Sequence, residues 1–210
     1  MLYCSCMKNT ISTIAKRLQE GNIGVMASDT LFGLMGLASS SEAVERIYEV
    51  KKRDSKKPCI ILLSDIAQLD DFHVVVHKRF RRFLDKIWPG PVTVILRLDK
   101  RYAKRFEYLH RGTGELTFRL PDNERIHDVI EKTGPLVAPS ANPEGELPAQ
   151  NIDEVHKYFG DTVDVYLNQE DRPYTGKPST IIKIKDHKIN LIREGVVPFD
   201  DIVAIWTSLL

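Results

Sequence analysis

The sequence predicts a single-domain α/β fold, a twisted open mixed sheet flanked by helices. Three observations carry this. Segments with apolar residues at helical spacing alternate with short apolar runs along the chain. The alternation amounts to about eight strands and six helices without a strict strand–helix–strand rhythm, so the sheet is expected to be mixed rather than wholly parallel. The 210 residues are also enough for one self-sufficient core. A chain of that size buries roughly 70% of its unfolded surface and needs neither disulfides nor a structural metal.

Taken in order, Ile11, Ile14, Ala15 and Leu18 recur at helical spacing and Gly21 ends that helix. Ile23–Met26 is a short apolar strand. Ser39 with Glu42 gives a capping-box signal, and Ala43, Val44, Ile47 and Tyr48 share the face that follows, which places Lys51 at the helix's C-terminal end. Cys59–Leu63 is a buried strand; Phe80, Phe83, Leu84 and Ile87 are one helix face, stopped by Trp88-Pro89-Gly90-Pro91. Val92–Leu98 and Leu116–Leu120 are strands, and Asp122 opens a helix that Gly134 closes. Leu136–Ala138 is a strand running into the loop Pro139–Pro148, and Asn151 with Glu154 starts a helix ended by Gly160. Val163–Leu167, Thr180–Ile184 and Ile189–Ile192 are strands, and the last helix carries Ile202, Val203, Ile205, Trp206 and Leu209.

A composition of 42% hydrophobic and 28% charged residues excludes disorder, collagen and coiled coil as descriptions of the whole. The apolar run at Cys59–Leu63 is far short of the ~18 residues a membrane span requires, and no basic stub precedes an apolar stretch at the N-terminus. A cytoplasmic location without membrane contact is the expectation. The three cysteines, two of them Cys4 and Cys6, read as incidental in a reducing compartment. Residues 1–8 read as a disordered extension of a 9–210 domain, with Met7 an alternative start.

The formal net charge of +1 hides an asymmetry. Residues 51–111 hold sixteen Lys and Arg against seven Asp and Glu; the rest of the chain holds fourteen against twenty-two. The middle segment either forms a positive face for a polyanion, nucleotide or RNA, or is the solvated side of amphipathic helices such as the one containing His77–Arg82.

Several polar clusters fall where a strand ends and a loop begins, the usual place for sites in α/β sheets. Ser28-Asp29-Thr30 is either a small-substrate turn or a simple Asp turn. Lys51-Lys52-Arg53-Asp54-Ser55-Lys56-Lys57 either grips a polyphosphate or is a solvated basic loop; without a glycine-rich GK[ST] element it is not a Walker loop. Ser140 and Asn142 can bind phosphate oxygens or complete a Mg²⁺ shell, or belong to a plain turn. Arg119, Ser179-Thr180 and Arg193-Glu194-Gly195 stand at strand ends, where arginines clamp anions or form surface ion pairs. Six scattered histidines show no metal spacing, and no covalent-nucleophile motif is present. Basic and hydroxyl groups without an evident general base fit nucleotidyl transfer, which is mostly positioning and charge neutralisation around phosphates.

In order, S-D-T-x-F-G-L, K-x-R-x-x-x-K-P, W-P-G-P-V-T, F-R-L-P, P-S-A-N-x-x-G, P-S-T-I and R-E-G resemble the YrdC/TsaC family of threonylcarbamoyl-adenylate synthases. The resemblance runs from about Ile11 to Val197. It implies formation of threonylcarbamoyl-adenylate and pyrophosphate from L-threonine, bicarbonate and ATP with Mg²⁺, the metal having no fixed protein ligands. A downstream threonylcarbamoyl-transferase complex would pass the group to tRNA. It implies a nucleotide site with Lys51, Arg53, Ser140 and Asn142 as the catalytic tetrad and Lys57 and Arg193 as further ATP contacts. Thr30, Arg119, Ser140 and Ser179 would hold threonine, and the fold would surround a large positively charged cavity. The end of the chain soon after Gly195 matches the short, single-domain form.

The sequence departs from the family pattern at Ala27-Ser28, Asp54, Leu62, Glu115 and Glu144. Carboxylates at 115 and 144 would weaken ATP binding unless they hold Mg²⁺ or point away. Two other readings compete. One is a YciO-like or carbamoyl-transfer paralogue with another substrate. The other is an RNA-binding module, of weak affinity for double-stranded RNA or tRNA, with a vestigial nucleotide site.

Overall fold

The computed structural model of the chain describes residues 10–74, 76–167, 175–185 and 188–209. The extension expected over residues 1–8, with Cys4 and Cys6, lies outside the described residues, as does His187.

The described elements follow one another as α1 (Ile11–Gln19), β1 (Gly24–Ala27), β2 (Phe32–Leu37), α2 (Ser41–Lys51), β3 (Ile60–Leu62), α3 (Lys78–Ile87), β4 (Val92–Arg97) and α4 (Glu107–His110). After them come β5 (Glu115–Arg119), α5 (Glu124–Thr133), β6 (Leu136–Val137), α6 (Ile152–Phe159), β7 (Val165–Leu167), β8 (Thr180–Lys185), β9 (Lys188–Arg193) and α7 (Phe199–Thr207). Short 3₁₀ turns occupy Ile66–Phe72, Lys100–Phe106 and Gly160–Thr162. The strands form one sheet in the order β7-β1-β2-β6-β3-β5-β4-β8-β9. It is mixed: β1–β7, β3–β5 and β4–β8 run parallel, while β1–β2, β2–β6, β3–β6, β4–β5 and β8–β9 run antiparallel.

The expectation of a single mixed α/β domain holds, with local corrections. β2 is a ninth strand where the reading above has only a polar turn. Its Phe-Gly-Leu-Met-Gly-Leu shows no alternation because it is covered on both faces. Gly36 lets α2 press close, since a Cβ there would stand 3.1 Å from Ile47 and 3.3 Å from Ala43. Ser40 rather than Ser39 caps α2, accepting from the Ala43 N–H at 3.1 Å. Asn123 rather than Asp122 caps α5, accepting from Ile126 N–H at 3.1 Å. Asn151 caps α6, as its spacing to Glu154 predicts.

Alternation along the strands divides the core into two layers. Val25, Leu34, Ile61, Val94, Leu116, Phe118 and Ile182 face one layer, packed under Ile47, Phe83, Leu84, Ile202 and Trp206 of α2, α3 and α7. Met26, Met35, Leu62 and Leu136 face the other, under Ile14 and Leu18 of α1 and Ile126, Val129 and Ile130 of α5. That second layer ends at β3 and β6. Beyond it, on the same side of β5, β4 and β8, Thr117, Arg119, Ile95 and Ile181 line a cavity.

Candidate active site

The cavity measures about 370 Å³, within the size range of small-molecule sites. Leu62, Thr117, Ile95 and Ile181 form its floor; the β1–β2 turn, the loop after α2, the loop after β6 and the ends of β8 and β9 form its walls. Of the nine residues singled out from the sequence, six line it: Thr30, Arg53, Arg119, Ser140, Ser179 and Arg193. Lys51 and Asn142 are buried and do not line it, and Lys57 is exposed outside its lining. Among the described lining residues the charged side chains are Arg53, Arg119 and Arg193, and no carboxylate is present.

Arg119 ends β5 and is 4% exposed. Its Nε donates to the Gly90 carbonyl at 3.1 Å, one terminal nitrogen to Thr30 Oγ1 at 2.6 Å, and the other to the Asp29 carboxylate. Thr30 and Ser28 share a hydroxyl contact of 3.0 Å, and Ser28 Oγ accepts from the Thr30 and Leu31 N–H groups. The Asp turn is therefore folded around its own serine and fastened to β5 by the arginine. Burial holds the Arg119 pKa below its ordinary value, and the Asp29 charge opposes that.

Across the cavity, Arg193 ends β9 and donates to the Ser179 carbonyl at 2.8 Å. The Ser179 hydroxyl lies 2.8 Å from that of Thr93, which is fully buried on β4. Arg193 is also lowered, first by burial and then by the charge of Arg119. Two guanidinium groups thus repel through the same cavity, an arrangement that a bound anion relieves.

Lys51, at the end of α2, is 2% exposed. Its ammonium donates to the Ser140 carbonyl at 2.9 Å, to the Asn142 carbonyl, and to Asn142 Oδ1 at 3.4 Å. Asn142 Nδ2 in turn donates to the carbonyls of Pro143 and Glu146 at 3.0 and 2.8 Å. Lys51 and Asn142 shape the loop that presents Ser140. Burial, with Arg53 nearby, lowers the Lys51 pKa to about 8.

Arg53 donates through Nε to the Lys57 carbonyl at 3.1 Å and through one terminal nitrogen to that of Pro58 at 3.0 Å. Its other terminal nitrogen lies 3.7 Å from the Glu144 carboxylate, which also pairs with the Lys57 ammonium. These contacts, the Lys57 hydrogen bond foremost, hold the Glu144 pKa low. The other unexpected carboxylate, Glu115, pairs with Lys183 at 2.7 Å.

Sequence reasoning read Asp29 only as part of its turn and left Thr93 and Thr117 without a role. The signal for Thr117 is its position two residues before Arg119, which puts both on one face of β5. The signal for Thr93 is the second hydroxyl that buried Ser179 requires. Among the described residues no group of three or more His, Cys, Asp or Glu could hold a metal, and no helix is long and apolar enough to cross a membrane.

The Sua5/YciO/YrdC family model, described as Telomere recombination, matches residues 16–195. A Methanocaldococcus jannaschii protein is 32% identical over 195 residues, covering 91% of this chain and 88% of its own; its name assigns threonylcarbamoyl-AMP synthase activity provisionally. The Bacillus subtilis threonylcarbamoyl-AMP synthase is 28% identical over 197 residues, covering 93% of this chain and 56% of its own. The crystal structure of P. abyssi Sua5 complexed with L-threonine superposes with a TM-score of 0.84 at 26% identity, covering 93% of this chain and 56% of that one. The chain therefore spans just over half the length of these last two.

Proposed function

The chain belongs to the Sua5/YciO/YrdC family, and we propose that its cavity joins L-threonine, bicarbonate and ATP into threonylcarbamoyl-AMP and pyrophosphate. The unprotonated amine of threonine bonds to the carbon of bicarbonate while one bicarbonate oxygen leaves as water, which gives a carbamate. A carbamate oxygen then bonds to the α-phosphorus of ATP while the bond to the pyrophosphate oxygen breaks. Bicarbonate and ATP are anions and threonine brings a carboxylate, so the catalyst must gather negative charge in one place. The observation that carries the reading is the wall composition: among the described lining residues, three arginines from three separate segments converge with the hydroxyls of Ser28, Thr30, Thr117, Ser140 and Ser179.

Arg119 and Thr30 suit the threonine carboxylate and hydroxyl, with Asp29 fixing the guanidinium. Arg53 and Arg193 flank the phosphates, and Ser140 and Ser179 supply neutral donors. The described lining residues fit Mg²⁺ as the counter-ion of ATP, with the Ser140 hydroxyl the protein oxygen suited to its shell; there it would neutralise phosphate charge. The product feeds a threonylcarbamoyl-transferase complex that modifies tRNA in the cytoplasm. Pyrophosphate release tests the reading: it should require threonine and bicarbonate together, and Arg53→Ala should slow it about a hundredfold, as loss of a charge-assisted contact to a transferring phosphoryl group does. Wild-type turnover in that variant removes Arg53 from the reaction.

Weak binding of tRNA or double-stranded RNA is a second, separate reading. One observation favours it: α3 and the Lys100–Phe106 turn flank a common, largely apolar groove whose polar lining is His77, Arg79, Arg97, Asp99 and Lys100. Arg81 and Arg101 pair with Asp70 and Asp99, and Lys78, Arg82, Lys100, Lys104 and Arg105 of the same two segments are exposed. Affinity for tRNA should fall steeply with salt and fall further in Arg82→Glu/Lys104→Glu, with pyrophosphate release unchanged.

A further inference from the structure

We propose that Glu144 is a built-in competitor of the nucleotide, its carboxylate occupying the cations that ATP must engage. The inference rests on the nucleotide reading of the cavity given above.

Arg53 has five N–H groups. Nε and one terminal nitrogen are committed to the carbonyls of Lys57 and Pro58, which folds the basic loop back on itself. The remaining terminal nitrogen is the edge left for an anion, and Glu144 Oε2 faces it at 3.7 Å, beyond hydrogen-bonding distance. Glu144 Oε1 pairs with the Lys57 ammonium. One carboxylate thus spans the two cations of the loop after α2, as a phosphate group would.

The carboxylate is held in register from behind. The Glu144 N–H donates to the Lys51 carbonyl at 2.9 Å, so the backbone of residue 144 hangs from the end of α2. Asn142, two residues earlier, is locked by Lys51. The side chain remains part-exposed, 29% against 56% for Lys57, so it can swing into water without leaving a buried charge behind. An exposed pair of this kind contributes little to stability, and breaking it is inexpensive when a more highly charged anion arrives. Glu144 is therefore a tuning residue for nucleotide affinity. It is not a catalytic one.

The test is the affinity of the full chain for MgATP, measured by titration calorimetry on the wild type, Glu144→Gln and Glu144→Ser. Circular dichroism and melting confirm that each variant is folded, and the two substitutions differ enough in size that one serves if the other misfolds. Both variants should bind MgATP about three- to tenfold more tightly at low salt. The gain should shrink as added salt screens the exposed charges. In turnover the KM for ATP should fall while kcat and the KM for threonine change less than about twofold, a split that loss of loop structure would not produce. Equal or weaker MgATP affinity in a folded variant overturns the proposal. If the wild type releases pyrophosphate from threonine, bicarbonate and ATP but the variants bind like it, only the role of Glu144 falls. If the wild type binds no MgATP, the nucleotide reading falls and this proposal with it.

Discussion

Arg119 makes three hydrogen bonds that no other side chain could make together, because its planar fork reaches Gly90, Thr30 and Asp29 at once. Arg119→Lys keeps a positive charge beside Asp29 but loses the fork. The KM for threonine should rise at least about tenfold with a smaller change for ATP; equal changes for both would place Arg119 elsewhere in the chemistry. Arg119→Ala leaves the part-buried Asp29 carboxylate without its cation and should cost about 3–5 kcal/mol of stability, read by urea unfolding. Lys51 gives a pH prediction of definite sign. Its folded pKa is about 8, against about 10.4 in an unfolded chain. Below pH 8 both states hold the proton and the native state carries the full burial cost. From about pH 8 to 10.4 the unfolded chain binds more protons, so the Lys51 contribution to stability rises with pH. The stability difference between wild type and Lys51→Met should therefore shift toward the wild type, by on the order of 1 kcal/mol per pH unit over that window. Parallel curves for the two proteins would mean that Lys51 is not titrating there.

At the level of elements, the cavity depends on how two strand ends are brought together. Gly195 follows β9 and lies against the turn before β8, where a Cβ would stand 2.1 Å from the Pro178 carbonyl oxygen and 2.5 Å from Ser179 C. Its N–H donates to Thr180 Oγ1 at 3.0 Å. Backbone cannot give way as a side chain does, so Gly195→Ala should push the turn aside and displace Ser179 and Arg193 together. Activity should be lost along with roughly 2 kcal/mol or more of stability, whereas a wild-type melting temperature with full activity would show that the two segments are not tightly apposed. The same level shows what the sequence makes legible. Helical and strand periodicities place most elements to within a few residues, because half-buried elements write their exposed face into the alternation. β2 leaves no such trace, being covered on both faces and interrupted by Gly33 and Gly36. The caps of α2 and α5 are each displaced by one residue, since Ser39-Ser40 and Asp122-Asn123 offer adjacent candidates and only backbone geometry selects between them.

Among the described residues, one face of the sheet is covered by α2, α3 and α7 up to the exposed edge strand β9, and the other is covered by α1 and α5 only over the β7-β1-β2-β6-β3 part, so the cavity lies on the remainder of that second face. Arg119, Ser179 and Arg193 are readable from the sequence as strand-end residues, and Thr30, Arg53 and Ser140 as loop residues in a characteristic order, whereas Thr117 is not. Which of them face the cavity is not readable, because Lys51 and Asn142 satisfy one another across 91 residues of chain. On the proposed reading threonine and MgATP share this cavity, so saturation with them at about a hundred times their dissociation constants should add roughly 2.7 kcal/mol per ligand, a rise of several degrees in melting temperature. No shift with either ligand would separate the cavity from the chemistry. The most direct measurement of the central claim follows carbon. Labelled bicarbonate incubated with the protein, MgATP and L-threonine should appear in an adenylate whose mass is that of threonylcarbamoyl-AMP, one pyrophosphate being released per labelled product and none when threonine is omitted. Pyrophosphate release without label in an adenylate, or label incorporated equally well without threonine, would contradict the account.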